Sequence, residues 1–433
     1  MKQEGNGYRD IGTELETVSG GGIRAFLLKR GTFSSFKNRI YLLYYGAMLG
    51  QMAAMNMQMV ARSLLVYRLT GSAAILGGIS LANALPMLLL SLFGGVIADR
   101  VQKKYVMLIG QSCSAVIALG VGLALSFGYL STEVTGSWWI LAVASLFQGT
   151  IMGLMMPSRQ AILPEIVGEE QLMNAVSLNT LGTNTLRLVA PALAGFLIDA
   201  FDFEAIYFTM TGLYLIAVVF ILFLPLTSTM SVRGRGALAD IKEGLKYVRH
   251  ETTIALILIF TLFAVVLSMP YTILMPIFTE DILKVGGTGM GVLLSVSGAG
   301  AMVGSIILAS LPNKKRGLLL LASCIVMSLA LAGFSLSTSW TLSLGIIVFV
   351  GLGQTGRMTL GNTLLQYYVD DEYRGRVMSI YMMEFGLVSF GAFAAGVMSE
   401  SLGVQWVVGG FAVVLTFLTI LTLLFVPRIR KLD

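Results

Sequence analysis

Residues 94–108 read GGVIADRVQKKYVML. One carboxylate, Asp99, and three bases, Arg100, Lys103 and Lys104, fall within six residues. This knot of charge separates two apolar runs, 73–98 and 105–128, each longer than the roughly 20 residues that carry an α-helix across a bilayer. A short basic turn between two spanning runs reads as a membrane hairpin with its turn on the cytoplasmic side.

Working outward, apolar runs of similar length recur at 40–66, 137–157, 175–200 and 205–226, then at 253–278, 290–311, 317–337, 341–366, 377–399 and 404–427. With the two flanking the charged turn they make six, a polar interval, and six more. The composition agrees: of 433 residues 56% are apolar and 12% charged, against about 25% charged in soluble domains. The expected fold is an all-α membrane protein with twelve transmembrane helices in two six-helix bundles. Disordered, collagenous and disulfide-scaffold classes are excluded by the same numbers. Cys113 and Cys324 sit in separate apolar runs and read as packing residues.

Charge sorts by side. With the N-terminus inside, 24 of the 29 Lys and Arg fall in cytoplasmic segments and only Arg68 and Lys284 outside. Arg159 is counted here in the loop after the fourth run. The split places the chain in the plasma (inner) membrane as a multi-pass protein with both termini cytoplasmic. It also explains the net charge of +6 without any nucleic acid. The segments that follow are a disordered cytoplasmic stretch 1–36, a bundle 37–226, a cytoplasmic linker 227–252, a bundle 253–427 and a tail 428–433. Within the linker, Leu238, Ile241, Leu245 and Val248 share one helical face, with Lys242, Lys246 and Arg249 off it. That pattern fits a helix lying on the membrane surface or one packed on the cytoplasmic end of the bundle.

The halves repeat. At an offset of 202, residues 157–179 overlay the segment ending at Tyr381, and Gly149 meets Gly351, Glu170 meets Glu372 and Ser177 meets Ser379. At an offset of 211, Lys103 and Lys104 meet Lys314 and Lys315. A parallel duplication of six-helix units is a mark of secondary transporters, with the repeat axis along the membrane normal.

The turn at 94–108 resembles the loop 2–3 signature of the major facilitator superfamily at Gly95, Ala98, Asp99, Arg100 and Lys104; Gln102 stands where the family has Gly. LLVYRLTGSAAILG (64–77), PSRQAILPE (157–165), NAVSLN (174–179) and YRGRVMSIY (373–381) are similar to the branch containing the enterobactin exporter and macrolide-type efflux proteins. The resemblance covers about 38 to 427. It implies a conformational latch of Gly95, Asp99, Arg100 and Lys104, in which the Asp99 carboxylate sits on the positive N-terminus of helix 11 from the other half. Asp99 as a plain loop charge is the other reading. At the offset of 211, Ser310 replaces the Asp, so the latch is not carried to the second half. Helix 4 has Ser145 at the family's Arg position, and helix 1 has Met55 where many relatives carry an acid. RLVAPALAG, 187–195, resembles the family's antiporter signature, with Ala for two of its glycines. Pro191 there is a hinge candidate, or only a packing kink.

Intramembrane polar groups are the candidates for coupling and cargo contact. Glu384 is the one acid deep in a predicted helix; Arg357 and Arg187 are also deep. Arg357 lies nine residues from Gln366 and Glu384 eight from Arg376, about 12–14 Å at 1.5 Å per residue, so the two are expected to pair. Glu384 then either carries a proton or only ties two helices together. In this fold helices 1, 4, 7 and 10 line the cavity, which adds Gln51, Asn56, Gln58 and Gln148, with Met residues around them. A Met-rich wall suits varied lipophilic cargo. His250 is the single histidine, and no metal-ligand spacing or phosphate loop appears, so no cofactor, no metal and no enzyme activity are expected. The expected partners are a lipophilic small molecule, protons and the bilayer, around a monomer. The expected function is proton-coupled efflux of a lipophilic or siderophore-like molecule by alternating access. An importer of the same fold, or a non-transporting scaffold or sensor, is the alternative.

Overall fold

The computed structural model describes residues 34–226, 237–312 and 314–433, without the side chains of 92, 96, 98, 99, 169 and 237–241. Most of the expected N-terminal segment, the first part of the linker and the Asp99 side chain therefore lie outside the described residues, as do the side chains of Leu238 and Ile241.

Ten helices have the length and composition to cross a bilayer. One of them, Glu170–Leu222, spans 53 residues and turns at Asp202, where φ is 65°, so it makes two passes. Arg39–Thr70 is not among the ten, because Gln51, Asn56, Gln58 and Arg62 dilute its apolar character. Among the described residues the passes number twelve: α1 Arg39–Thr70, α2 Ala73–Arg100, α3 Lys103–Ser126, α4 Trp139–Gly168, α5 170–201, α6 203–222, α7 Thr252–Ser268, α8 Gly286–Ser310, α9 Arg316–Leu336, α10 Trp340–Tyr368, α11 Arg374–Leu402 and α12 Val404–Phe425.

Local chemistry sets the boundaries. Asn38 starts α1 by accepting from the amides of Ile40 and Tyr41, and Gly71 ends it at φ 62°. Ser72 caps α2 through the Ile75 amide. Gly168 turns α4 into α5 at φ 71°, ψ 168°, a conformation open to glycine and few others. Helix α4 runs eleven residues past the expected end at 157, which moves Arg159 out of the loop and into the helix. The apolar run is a poor guide there, since a helix continues beyond the bilayer's apolar slab wherever its partners do.

Helices α1–α6 and α7–α12 pack as two lobes. Gly149 of α4 sits on the Asn83 backbone of α2, and Gly351 of α10 sits on the Ser297 backbone of α8. Any side chain at either glycine would overlap the facing carbonyl. The pair that the repeat aligns thus does the same work in each lobe. The end that carries the linker helix and the C-terminal tail is here termed the basic side, and the opposite end the far side. On the basic side Lys103, buried, pairs with Glu165 at 2.7 Å. The linker helix Ala237–His250 packs on the start of α11: Arg376 pairs with Glu243 at 3.3 Å, and Tyr247 stacks on Tyr373 and donates to Asp370 at 3.0 Å. Of the two linker readings, the described contacts match the packed one. The tail also docks, with Leu432 accepting from the Gly317 amide at 3.0 Å.

Candidate functional site

Four helices build the seam between the lobes: α5 packs on α8, and α2 on α11. Among the described residues, every hydrogen bond and ion pair that joins the lobes lies toward the far side. The Asp199 carboxylate of α5 accepts from the amides of Gly287, at 3.1 Å, and Thr288, at 2.6 Å, on the N-terminus of α8. The Glu400 carboxylate of α11 accepts from the Ser72 hydroxyl, at 2.6 Å, and the Ala74 amide, at 3.0 Å, on the N-terminus of α2. These two devices are copies. Thr288 lies 214 positions after Ala74, and Glu400 lies 201 after Asp199. A carboxylate is stabilised there because the first amides of a helix are unpaired and carry the positive end of its dipole.

Further contacts tighten the same end. Arg68 joins Glu280 at 2.8 Å and Asp199 at 3.4 Å, and Tyr67 donates to Asp281. About two turns deeper, the Ser80 and Ser389 hydroxyls meet at 3.0 Å. Backbone contact follows the pattern. A Cβ on Gly195 would overlap the Gly287 carbonyl, and one on Gly396 the Ala73 carbonyl. These pairs keep the same spacings of 201 and 214. Toward the basic side the backbones draw apart while side chains stay in contact. Beside Gly298 the Arg187 carbonyl oxygen of α5 stands 3.5 Å from a built Cβ, and a Cβ on Gly386 would overlap the Leu88 side chain of α2. Backbone approach is therefore closest at the far side.

The structure redistributes the polar candidates. Gln51 is buried and donates toward the Met155 sulfur at 4.0 Å. Gln148 donates to Ser114 of α3 at 3.3 Å, and Gln58 accepts from Tyr214 of α6 at 3.3 Å. Asn56 donates to the Met52 carbonyl of its own helix at 2.8 Å. These side chains, expected on the cavity wall, bond within their own lobe or helix, because a polar group in an apolar bundle takes the nearest partner.

Arg357 and Glu384 do not form the expected salt bridge; no ion pair joins them within 4.0 Å. Glu384 instead accepts from Thr261 of α7 at 2.8 Å. Both side chains are buried, and Arg357 neighbours Glu384, Tyr381 and Cys324 inside the second lobe. The arginine Nε has no hydrogen-bond partner. Pro191 leaves the dihedrals of α5 helical and packs its carbonyl against Gly291, so in this state it is a packing residue rather than a bend.

Of the latch residues, Lys104 donates to the Leu222 and Leu224 carbonyls at 2.8 and 2.6 Å, closing the end of α6 within its own lobe. Arg100 is exposed, and Gly95 has open space around a built Cβ. Among the described residues, no hydrogen bond or ion pair joins these three to the second lobe.

Three cavities matter. The largest, about 660 Å³, is an apolar groove on the outer surface of α2, α3 and α4, with exposed Ile109 and Val116 in its wall; it lies away from the seam. A small void of about 50 Å³ lies under the far-side closure, between Arg62, Ser80 and Thr272. The third, about 320 Å³, is formed by α1, α4 and α5 around Tyr44, Met52, Arg159, Asn179, Thr183 and Asn184. Residues 180, 184, 187, 191 and 195 follow one stripe of α5 at helical spacing. The upper part of that stripe packs on α8, so the pocket lies on the side of α5 that continues into the seam. Sequence reading missed Arg159 because its apolar run stopped two residues earlier. It missed Asp199 and Glu400 because both sit at run ends, although the offset of 202 brings them within one residue of each other.

Two duplicated six-helix lobes, joined most closely at one end and with a polar pocket in the first, define a membrane transporter of the major facilitator type. The chain belongs to the transmembrane secretion effector family of that superfamily, whose model matches residues 30–433. It is 23% identical over 371 residues to the staphyloferrin A transporter of Staphylococcus aureus, covering 85% of this chain and 90% of that one. It is 23% identical over 414 residues to macrolide efflux protein A of Streptococcus pyogenes, covering 93% and 99%. Its fold matches a crystal structure of a POT peptide transporter in complex with sulfate at a TM-score of 0.72, with 13% identity over 91% of this chain and 96% of that one.

Proposed function

We propose that this transporter exports a lipophilic small molecule or siderophore-like metabolite by alternating access, driven by protons. The observation that carries the reading is the seam: a doubled far-side closure, with a polar pocket of the first lobe on the stripe of α5 that leads down from it. The charge split along the chain supports a cytoplasmic basic side, so the described state faces inward and is ready to load cargo from the cell. The siderophore and macrolide relatives support the cargo class and the outward direction. Glu384 is the proposed proton carrier, since a lone carboxyl held by one hydroxyl is free to exchange a proton when Thr261 moves.

A thermal-shift screen over macrolides and siderophores identifies a cargo; flux of the best one is then measured in proteoliposomes at two pH gradients. Wild-type flux is expected to rise at least tenfold with an imposed gradient. Glu384→Gln is expected to transport at a rate independent of it. Equal gradient dependence in both proteins removes Glu384 from coupling, and gradient-independent wild-type flux removes the proton. Net accumulation in the opposite direction makes the protein an importer.

A further inference from the structure

Charge inside the bundle is unbalanced, and the imbalance sits on one wall. In the second lobe Arg357 and Glu384 neighbour each other and offset in sign. In the first lobe Arg159 lines the pocket and Arg187 follows on the same stripe of α5, and among the described residues no carboxylate lies within 4.0 Å of Arg62, Arg159 or Arg187. Arg159 is the most telling. It sits on α4 nine residues before Gly168, about 13 Å along the helix. Among the described residues, the one hydrogen-bond acceptor its guanidinium reaches is the Met52 sulfur, at 3.9 Å, a weak partner for a cation. Asn179 and Asn184 line the same pocket, and Arg187 stands one turn beyond Thr183 and Asn184 on the same stripe of α5. An unpaired cation at depth is costly, and a lobe that holds several is stabilised by an anion from elsewhere.

From this arrangement we infer that the pocket between α1, α4 and α5 is the cargo's anion subsite, and that the transported molecule carries a carboxylate, or a group of like charge and geometry, engaged by Arg159 and Arg187. The inference rests on the transporter reading above and narrows it. A planar guanidinium takes a carboxylate through two parallel N–H donors, and the neighbouring amides supply donors to the remaining lone pairs. Met48, Met52 and Leu163 give the same pocket an apolar floor for the body of the molecule. The cargo is then an anionic amphiphile, and a cationic amphiphile of the same size is disfavoured by Arg159 and Arg187.

The test uses two fluorescent probes with one skeleton, pyrenebutyrate and pyrenebutyltrimethylammonium, titrated onto the full chain in phosphatidylcholine nanodiscs. The wild type is expected to bind the carboxylate probe at least tenfold more tightly. Arg159→Gln with Arg187→Gln is expected to bring the ratio near one or below it. Arg159→Lys, which keeps the charge, is expected to retain most of the preference. Arg249→Gln removes a charge from the linker helix and is expected to leave the ratio unchanged. Equal binding of the two probes by the wild type, or an unchanged ratio in the double variant with its melting temperature intact, overturns the proposal. If the double variant does not fold, competition in the wild type decides: acetate displaces pyrenebutyrate, whereas tetramethylammonium does not, and the reverse order overturns the proposal. Added phosphatidylglycerol that displaces the carboxylate probe identifies a lipid headgroup as the anion; no displacement leaves a soluble anion. Spin-label distances across both ends in the same nanodiscs keep the two readings apart. Lobes that alternate without a charge preference refute only the anion subsite, and lobes that never alternate refute the transporter reading itself.

Discussion

Valine at Gly195 together with valine at Gly396 will leave both lobes folded and the far side unable to close. Each glycine meets the opposite lobe's backbone, at Gly287 and Ala73, with no room for even a methyl group. Facing backbone has little freedom to give, so the helices must separate. Overpacking of this kind costs about 1–3 kcal/mol per site. Two sites together shift the balance of states away from far-side closure by a factor on the order of 30 to tens of thousands. The readout is the alkylation rate of a cysteine at Ser80, which is buried in the seam against Ser389. A membrane-impermeant maleimide applied from the far side is expected to react at least 30-fold faster in the double variant. An unchanged rate means that the glycine contacts are not what holds the seam. Melting temperatures of the separate lobes are expected to hold, because neither contact lies within a lobe.

Asp199→Asn and Glu400→Gln are expected to act in the same direction with a smaller effect each. Both carboxylates sit at partly exposed helix N-termini, where a negative charge contributes about 1 kcal/mol. Each single change is then worth about a fivefold shift toward the far-open state, and the pair about 30-fold, on the same cysteine assay. Near-equality of the two singles is the informative part, since it follows from the duplication. Asp199 also meets Arg68 at 3.4 Å, so any excess is expected on that side. A large effect from one and none from the other shows that the two contacts do not work as a pair.

Much of this architecture is legible from the residues, and the failures have physical causes. The charged turn at 94–108 and the paired Gly149 and Gly351 announce spanning hairpins and a duplicated lobe, because bilayer thickness and helix packing constrain sequence directly. Which way a polar side chain points is set by a choice among neighbours that sequence does not display. Gln148 reads as a cavity residue and bonds to Ser114 of α3. Glu384 reads as the partner of Arg357 and takes the hydroxyl of Thr261, which lies more than a hundred positions away. Arg159 reads as a loop base since the apolar run ends before it, yet α4 continues and carries it to the pocket wall. The closest approaches in the seam were hidden for another reason: they are backbone to backbone, and only small residues such as Gly195 and Gly396 mark them.

Alternating access is tested most directly by two distances measured on one protein. Spin labels at Thr70 and Ser401 report the far side, and labels at Gln102 and Glu372 the basic side, both read by pulsed electron resonance in nanodiscs with and without the Gly195→Val and Gly396→Val changes. The expected result is opposed movement: the far-side distance lengthens in the double variant while the basic-side distance shortens. Two distances that stay fixed, or that lengthen together, would contradict a pair of lobes rocking about a pocket between them.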